Sequence, residues 1–235
     1  MTVIDFHSHI LPCMDDGSAS PAESAAMLRI EAEQGIRQVI ATPHFYPQHH
    51  TPDRFLERRE RAWTWLREEL AGKDGLPQVI LGAEVYFFRG MSESDQLARL
   101  TIGKKSCILI EMPTAPWTDE MYRELEQIWV KQGITPIIAH IDRYVRPFRT
   151  HGILRRLEDL PVLVQANADF FLKCSTASMA MRMLKEDRIH LLGSDCHNMT
   201  SRKPNLDAAL QKIRGKLGDD ALLRIQEHER NALDI

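Results

Sequence analysis

Short apolar runs alternate with longer stretches of helical periodicity along the whole chain, and the two recur in step. Residues 3–6, 38–41, 78–81, 107–110, 135–139, 161–165 and 189–192 are predicted strands. Several are β-branched and aliphatic without polar alternation, as parallel strands covered on both faces are. The helix ends between them are readable. Ser20, Pro21 and Glu23 give an N-cap, a first-turn proline and a capping-box partner, and a stripe through Ala25, Met27, Leu28 and Ala32 stops at Gly35. Thr51 and Pro52 open a helix carrying Phe55, Trp63, Leu66 and Leu70, ended by Gly72. Thr118 opens another, with Met121, Leu125, Ile128 and Trp129 inward and Gly133 at its C-terminus. Residues 175–186, 205–217 and 219–229 continue the helical pattern. About seven strands alternating with helices predict an α/β fold, a closed or nearly closed parallel barrel, with an open doubly wound sheet as the alternative. No GxGxxG or GxxxxGK[ST] segment favours a nucleotide-binding version.

Composition narrows the picture. The 235 residues suffice for one large core and show no repeat or linker, so a single domain over 1–235 is expected. With 30 Lys and Arg against 33 Asp and Glu, the net charge of −3 argues against a nucleic-acid partner. Cys13, Cys107, Cys174 and Cys196 lie far apart with no CxxC spacing, which fits reduced thiols and a cytoplasmic protein. No apolar run reaches the ~18–20 residues of a membrane span, and Asp5, His7 and His9 interrupt the N-terminal segment. Neither export nor membrane insertion is expected.

The candidate chemistry lies where strands end. Asp5, His7 and His9 accompany the first strand, followed by Asp15 and Asp16. Later strands run into His44, Glu84, Glu111, His140 and the segment Asp195-Cys196-His197. In a parallel barrel these positions share one rim, where such folds keep their active sites. His7 and His9 are two apart on extended chain, as are Asp195 and His197, so each pair projects to one side. One Asp of the Asp15-Asp16 pair brings the set to about nine nitrogen and oxygen ligands, more than one metal needs and suited to two or three. With no thiolate required, Mn²⁺, Fe²⁺ or Zn²⁺ are the expected ions. Any one of these residues alone reads as a hydrogen-bonded loop residue; their coincidence at one rim does not. His49, His50, His151, His190 and His228 are read as ordinary loop, strand or helix residues, with His49 and His50 near enough to His44 to touch a substrate.

The motifs carry a resemblance. Asp5-Phe6-His7-Ser8-His9-Ile10-Leu11-Pro12 followed by Asp15-Asp16-Gly17 resembles the opening of the polymerase-and-histidinol-phosphatase (PHP) superfamily. More narrowly, the chain resembles the manganese-dependent protein-tyrosine phosphatases of bacterial capsule and exopolysaccharide loci, the CpsB/CapC type. The likeness continues through Glu23-Ser24, Ala41-Thr42-Pro43-His44, Gly82-Ala83-Glu84, Ile110-Glu111, His140-Ile141-Asp142-Arg143-Tyr144 and Ser194-Asp195-Cys196-His197-Asn198, to Arg202-Lys203-Pro204. It implies a distorted parallel (β/α)7-type barrel, the PHP fold, with two or three ions, Mn²⁺ first. On that resemblance His7, His9, Glu84 and Asp195 hold one ion, and Glu84 bridges to a second held by Glu111 and His140. Asp16, His44 and His197 hold a third, while Arg143 and Arg202 lie near the phosphate. Cys13 and Cys196 depart from the usual pattern without replacing a ligand.

The implied activity is hydrolysis of phosphotyrosine on a protein partner, the tyrosine-rich tail of a bacterial tyrosine kinase that controls polysaccharide synthesis. A PHP phosphoesterase for a small phosphomonoester or for phosphodiesters is the first alternative, and a non-catalytic partner of the kinase the second. An amidohydrolase is disfavoured because no strand supplies a lysine to bridge metals. The C-x5-R spacing of Cys196 and Arg202 offers a cysteine mechanism, but the segment between them has no glycine for a phosphate loop. Arg143, Arg146, Arg149, Arg155 and Arg156 form a basic stretch that suits either a phosphate or a solvated face. Phe45, Tyr46, Tyr86, Phe87 and Phe88 stand near the rim, where they can flank a phenyl ring or pack the core.

Overall fold

The computed structural model describes residues 3–103, 107–145 and 152–234. The first half runs β1 (Ile4–Ser8), α1 (Pro21–Glu33), β2 (Gln38–Ala41), β3 (His44–Phe45), α2 (Pro52–Leu70), β4 (Gln78–Leu81), β5 (Glu84–Tyr86) and β6 (Cys107–Glu111). The second runs α3 (Asp119–Gln132), β7 (Thr135–Ile138), α4 (Ile153–Glu158), β8 (Leu163–Asn167), α5 (Ala168–Leu172), α6 (Ala177–Lys185), β9 (Leu191–Gly193), α7 (Leu206–Leu217) and α8 (Asp219–Leu233). Each of these strands pairs in parallel with its neighbours, in the orders β1-β2-β4 and β3-β5-β6-β7-β8-β9.

The two ribbons form one curled wall. β2 and β3 are successive pieces of one strand line broken at Thr42-Pro43, and β4 and β5 of another broken at Gly82-Ala83. Proline has no N–H to continue a ladder, and the bond from Glu84 N to the Pro43 carbonyl (3.0 Å) carries the pairing past the break. The wall closes between its ends, where Asp195 N donates to His7 O (2.8 Å) and His9 N to Cys196 O (2.9 Å). Behind that seam Asp5 accepts from the backbone N–H groups of His7 and Ser194. Low in the wall, Ile102 and Gly103 wedge between β4 and β6, with Ile102 N bonded to Cys107 O and Gly103 N to Leu81 O. The fold is therefore the distorted seven-line barrel of the sequence expectation rather than an open doubly wound sheet.

Phe6, Ile40, Ile102, Leu109, Ile137 and Leu191 fill the interior beneath the rim, and a larger apolar layer packs the helices outside. The helix starts at Ser20, Thr51 and Thr118 stand as expected. Ser20 accepts from Glu23 N, and the Glu23 carboxylate accepts from Ala19 N, one residue before the N-cap that a capping box would use. On α3, however, Trp129 is 47% exposed, and Tyr122 joins Leu125 and Ile128 on the buried face. Arg156 of α4 lies over the Tyr122 ring at 3.7 Å. The two shortest helices, α4 and α5, are too brief to show a period and were not expected from the sequence.

One glycine sets the depth of the rim. A Cβ on Gly193 would lie 2.6 Å from His7 Cβ and 2.8 Å from Gln165 Nε2. Gly193→Ala should therefore destabilise the metal-free protein by about 1–3 kcal/mol, the usual cost of overpacking. Urea unfolding of chelator-treated protein checks it; an unchanged midpoint would show that the rim relaxes freely.

Candidate metal centre

Strand ends and their loops deliver every expected ligand to one rim. β1 carries His7 and is followed by His9; β3 begins at His44, β5 begins at Glu84, and β6 ends in Glu111. His140 follows β7, while Asp195 and His197 follow β9. The β3–β5 register sets His44 directly beside Glu84. His140 (φ 32°) and Asp195 (φ 53°) adopt left-handed backbone, a strain of order 1–3 kcal/mol each that typifies functional positions.

The side chains meet around the Glu84 carboxylate. Its Oε2 lies 3.2 Å from His7 Nε2, 3.3 Å from His9 Nε2 and 3.0 Å from His44 Nδ1, and its Oε1 lies 2.7 Å from His140 Nε2. Asp195 Oδ1 is 3.5 Å from Nε2 of both His7 and His9. Glu111 reaches His140 (3.7 Å) and His44 (3.8 Å). On the outer side Asp16 Oδ1 stands 3.6 Å from His44 Nε2 and 3.5 Å from His197 Nε2. His7, His9, Glu84, His140, Asp195 and His197 are buried. Yet Glu84 Oε2, Asp195 Oδ1, His44 Nδ1 and His197 Nε2 have no hydrogen-bond partner. Buried lone pairs facing one another are costly, and cations among them remove that cost. The donor set, nitrogen and oxygen only, fits two or three ions of the Mn²⁺, Fe²⁺ or Zn²⁺ kind.

A supporting layer orients the candidate ligands, as in most metal sites. His9 Nδ1 is 2.8 Å from Asp15 Oδ2, which also accepts from His44 N, so Asp15 works behind the site while Asp16 faces it. Gln165 Oε1 lies 3.3 Å from His7 Nδ1 and accepts from His140 N. Asn167 Nδ2 donates to Asp195 Oδ2, and the Asp195 carbonyl fixes His197 Nδ1. Gln165 and Asn167 escaped the sequence reading, although they occupy the end of a strand line where every neighbouring line places a ligand.

At the mouth Arg143 donates to Glu111 Oε1 (2.8 Å) and Asp195 Oδ2 (3.2 Å), and Arg202 pairs with Asp195 Oδ2 (2.8 Å). Both are about a third exposed, so they span from buried carboxylates to solvent. Burial alone would push His7 down and Glu84 and Asp195 up, but mutual attraction reverses each. Glu84 and Asp195 raise His7; Asp15 foremost raises His9 well up; His7 foremost holds Glu84 and Asp195 well below the usual carboxylate range. His197 goes the other way, to about 4, through burial and then the neighbouring His9.

The CpsB/CapC model of capsular polysaccharide synthesis matches residues 3–233. The chain belongs to this family. It is 31% identical over 231 residues to tyrosine-protein phosphatase CpsB of Streptococcus pneumoniae, across 92% of this chain and 91% of that protein. It is 30% identical over 235 residues to tyrosine-protein phosphatase YwqE of Bacillus subtilis, across 96% and 89%. A structure from the crystallographic description of YwqE and CpsB as unique metal-dependent tyrosine phosphatases superposes with a TM-score of 0.83 at 25% identity, over 99% of this chain and 94% of that one.

Within the CpsB/CapC chain the competing features separate from the cluster. Cys196 is fully buried, and burial together with Glu31 and Asp5 pushes its thiol well up, the reverse of a nucleophilic thiolate. His49 and His50 lie in the loop after β3 and His228 in α8, as expected. His190 precedes β9 instead of lying within it. It stands with His228 and Asp187 at metal-like spacing, but its Nδ1 accepts from Val164 N, which leaves N–H rather than a lone pair at Nε2. Of the basic stretch, Arg156 pairs with Asp119 and Arg155 is exposed; Arg146, Arg149 and His151 lie outside the described residues.

Metal and protons compete here, and the sign is testable. In metal-free protein the raised His7 and His9 contribute stability below pH ~6.5 that is lost as pH rises through their folded values. The lowered Glu84 and Asp195 contribute above pH ~4 and lose it only on acidification. Chelated protein should therefore lose Tm between pH 6 and 9, while metal-loaded protein, using neutral imidazoles, holds or gains. Calorimetry of both forms at one ionic strength reads the difference; parallel profiles would contradict it.

Proposed function

We propose that the chain is a metal-dependent protein-tyrosine phosphatase of the CpsB/CapC family. The observation that carries this reading is the convergence of His7, His9, Asp16, His44, Glu84, Glu111, His140, Asp195 and His197 on one rim, with Arg143 and Arg202 at its mouth. Its support from kinship is that relatives of similar length bear that activity by name. His7, His9, Glu84 and Asp195 would hold one ion, Glu84, Glu111 and His140 a second, and Asp16, His44 and His197 a third, with Mn²⁺ the first choice. When bound, such ions supply positive charge to phosphate oxygens and acidify water.

The chain's own residues do the rest. Arg143 and Arg202 present planar, permanently charged guanidiniums of five N–H donors each, only some of which the carboxylates occupy. The remainder are free to clamp equatorial phosphate oxygens in the bidentate manner a lysine lacks. Asp15, Gln165 and Asn167 hold the ligand rings and the Asp195 carboxylate in place. Tyr46, stacked on His44 at 5.0 Å and 5.7 Å from Tyr86, offers an aromatic flank for a phenyl ester.

The physiological substrate we infer is the phosphorylated tyrosine-rich segment of a bacterial tyrosine kinase in capsule or exopolysaccharide synthesis, met in the cytoplasm. The family's description as one of capsular polysaccharide synthesis supports that setting. Among the described residues no helix is long and apolar enough to cross a membrane. A purely non-catalytic role finds no support, since each expected ligand is present. The deciding assay sets phosphotyrosine peptides against histidinol phosphate and phosphodiesters across a metal panel. Preference for a small monoester or a diester would reject the phosphotyrosine reading.

Two substitutions test the mechanism. Arg143→Lys keeps the charge and removes the fork, and should cost on the order of 2–4 kcal/mol in kcat/KM by analogy with an oxyanion donor. Unchanged kcat/KM would place Arg143 outside the reaction. Cys196→Ser should retain most turnover, whereas Asp195→Asn should lose most of it together with bound metal, and chelation should mimic Asp195→Asn. A fully metallated but inactive Cys196→Ser protein would revive the thiol mechanism.

A further inference from the structure

The pairing that sets His44 beside Glu84 also sets Phe45 beside Val85. Consecutive strand residues face opposite sides, so while His44 points into the cluster, Phe45 points behind the barrel wall. There the segments after β3 and after β5 line an open cavity of about 410 Å³, within the range of small-ligand pockets. Phe45, Pro47, Phe88, Leu97 and Leu100 give it apolar walls, and none of its lining residues is Asp, Glu, Lys or Arg. His50 completes one side, where Arg58 holds its Nε2 at 3.3 Å. Burial and the neighbouring Arg58 and Arg54 lower its pKa.

The cavity begins one aromatic ring from the reacting centre. Tyr46 stacks on His44 and meets His49, which lines the cavity, edge-on at 6.1 Å. An extended peptide advances about 3.3–3.6 Å per residue. A side chain one to three residues from a phosphotyrosine at the cluster therefore comes within reach.

We propose that this cavity is a specificity subsite that seats a large apolar side chain of the substrate protein, one to three residues from the phosphotyrosine. It rests on the phosphatase reading above and adds the feature by which one phosphotyrosine is chosen over another. A carboxylate or ammonium would find no oppositely charged Asp, Glu, Lys or Arg in the lining, whereas an aliphatic or aromatic side chain leaves water for Phe45, Phe88, Leu97 and Leu100. Burying one such side chain is worth a factor of about ten or more.

The test uses metal-loaded protein and phosphotyrosine peptides in a serine and alanine background, with one leucine walked through three positions on either side. Leucine should raise kcat/KM about tenfold over serine at one or two positions. Ser94→Trp, which fills the cavity from its edge, and Phe88→Ala, which removes a wall, should each cut that ratio below about threefold. Each ratio is taken within one preparation, so a partly unfolded variant does not change it. Equal kcat/KM at all six positions overturns the subsite, as does a ratio preserved in both variants. Loss shared equally by leucine and serine peptides also overturns it, placing the phosphotyrosine ring itself in the cavity. Wild-type protein that cleaves phosphotyrosine without preference sinks the subsite alone; failure on every phosphotyrosine peptide sinks the phosphatase reading with it.

Discussion

Everything at the rim depends on holding one carboxylate, Glu84, fully buried against the rings of His7, His9, His44 and His140. An ion removed from water costs several kcal/mol unless its surroundings replace that solvation. Here the surroundings are themselves titratable, so the cluster has two ways of being electrically whole. Protons on the imidazoles answer the carboxylates in one; cations on neutral imidazoles answer them in the other. The low-dielectric floor of Phe6, Ile40, Leu109, Ile137 and Leu191 strengthens both. Because each state uses the same lone pairs, they exclude each other. Chemistry at the rim is thereby tied to metal occupancy without any moving part.

The distortion of the barrel is what brings Glu84 and His44 inward. An unbroken pair of strand lines would carry the ladder past Thr42-Pro43 and Gly82-Ala83 with simple alternation. The breaks restart it at the rim, with His44 and Glu84 as matched first residues of β3 and β5. Gly82 permits this because a Cβ there would lie 2.8 Å from Ile102 Cγ1, the residue wedged into the wall. Arg59, buried on α2, donates to the Gly82 carbonyl at 2.8 Å and satisfies an acceptor at the break. The same restart aims Phe45 outward, so one local irregularity builds the metal face on one side and an apolar cavity on the other.

How much of this was legible in the sequence follows from the range of each signal. Strand order, capped helix starts and the placing of the nine candidate ligands at strand ends rest on local patterns such as Ser20-Pro21 or His7-x-His9, which the fold keeps. The breaks in two strand lines left no local mark beyond Pro43 and Gly82, since the wedge beside them, Ile102, lies 20 positions from Gly82 and 59 from Pro43 along the chain. Gln165 and Asn167 were missed because amides at a strand end read as loop polarity; only the spatial neighbourhood of His7 and Asp195 gives them work. Trp129 was misplaced because a helical stripe fixes a face only to within about one position, and the buried face of α3 runs through Tyr122, Leu125 and Ile128.

Cys196 and Arg202 show how a spacing can satisfy two chemistries while the fold admits one. A phosphocysteine mechanism needs an exposed, stabilised thiolate facing a cradle of backbone N–H groups. In this barrel the backbone of Cys196 is already committed to the seam: its carbonyl accepts from His9 N and its N–H donates to Ser194 Oγ. The segment is not the extended chain its spacing suggested, for Asp195 is left-handed (φ 53°). Asp195 and His197 reach the rim across that kink, while the Cys196 side chain lies away from it, among the buried Asp5 and Glu31 carboxyl groups. Its sulfur is spatially excluded by the arrangement that makes its neighbours useful. Arg202, for its part, reaches Asp195 rather than the thiol, and so belongs electrostatically to the metal rim.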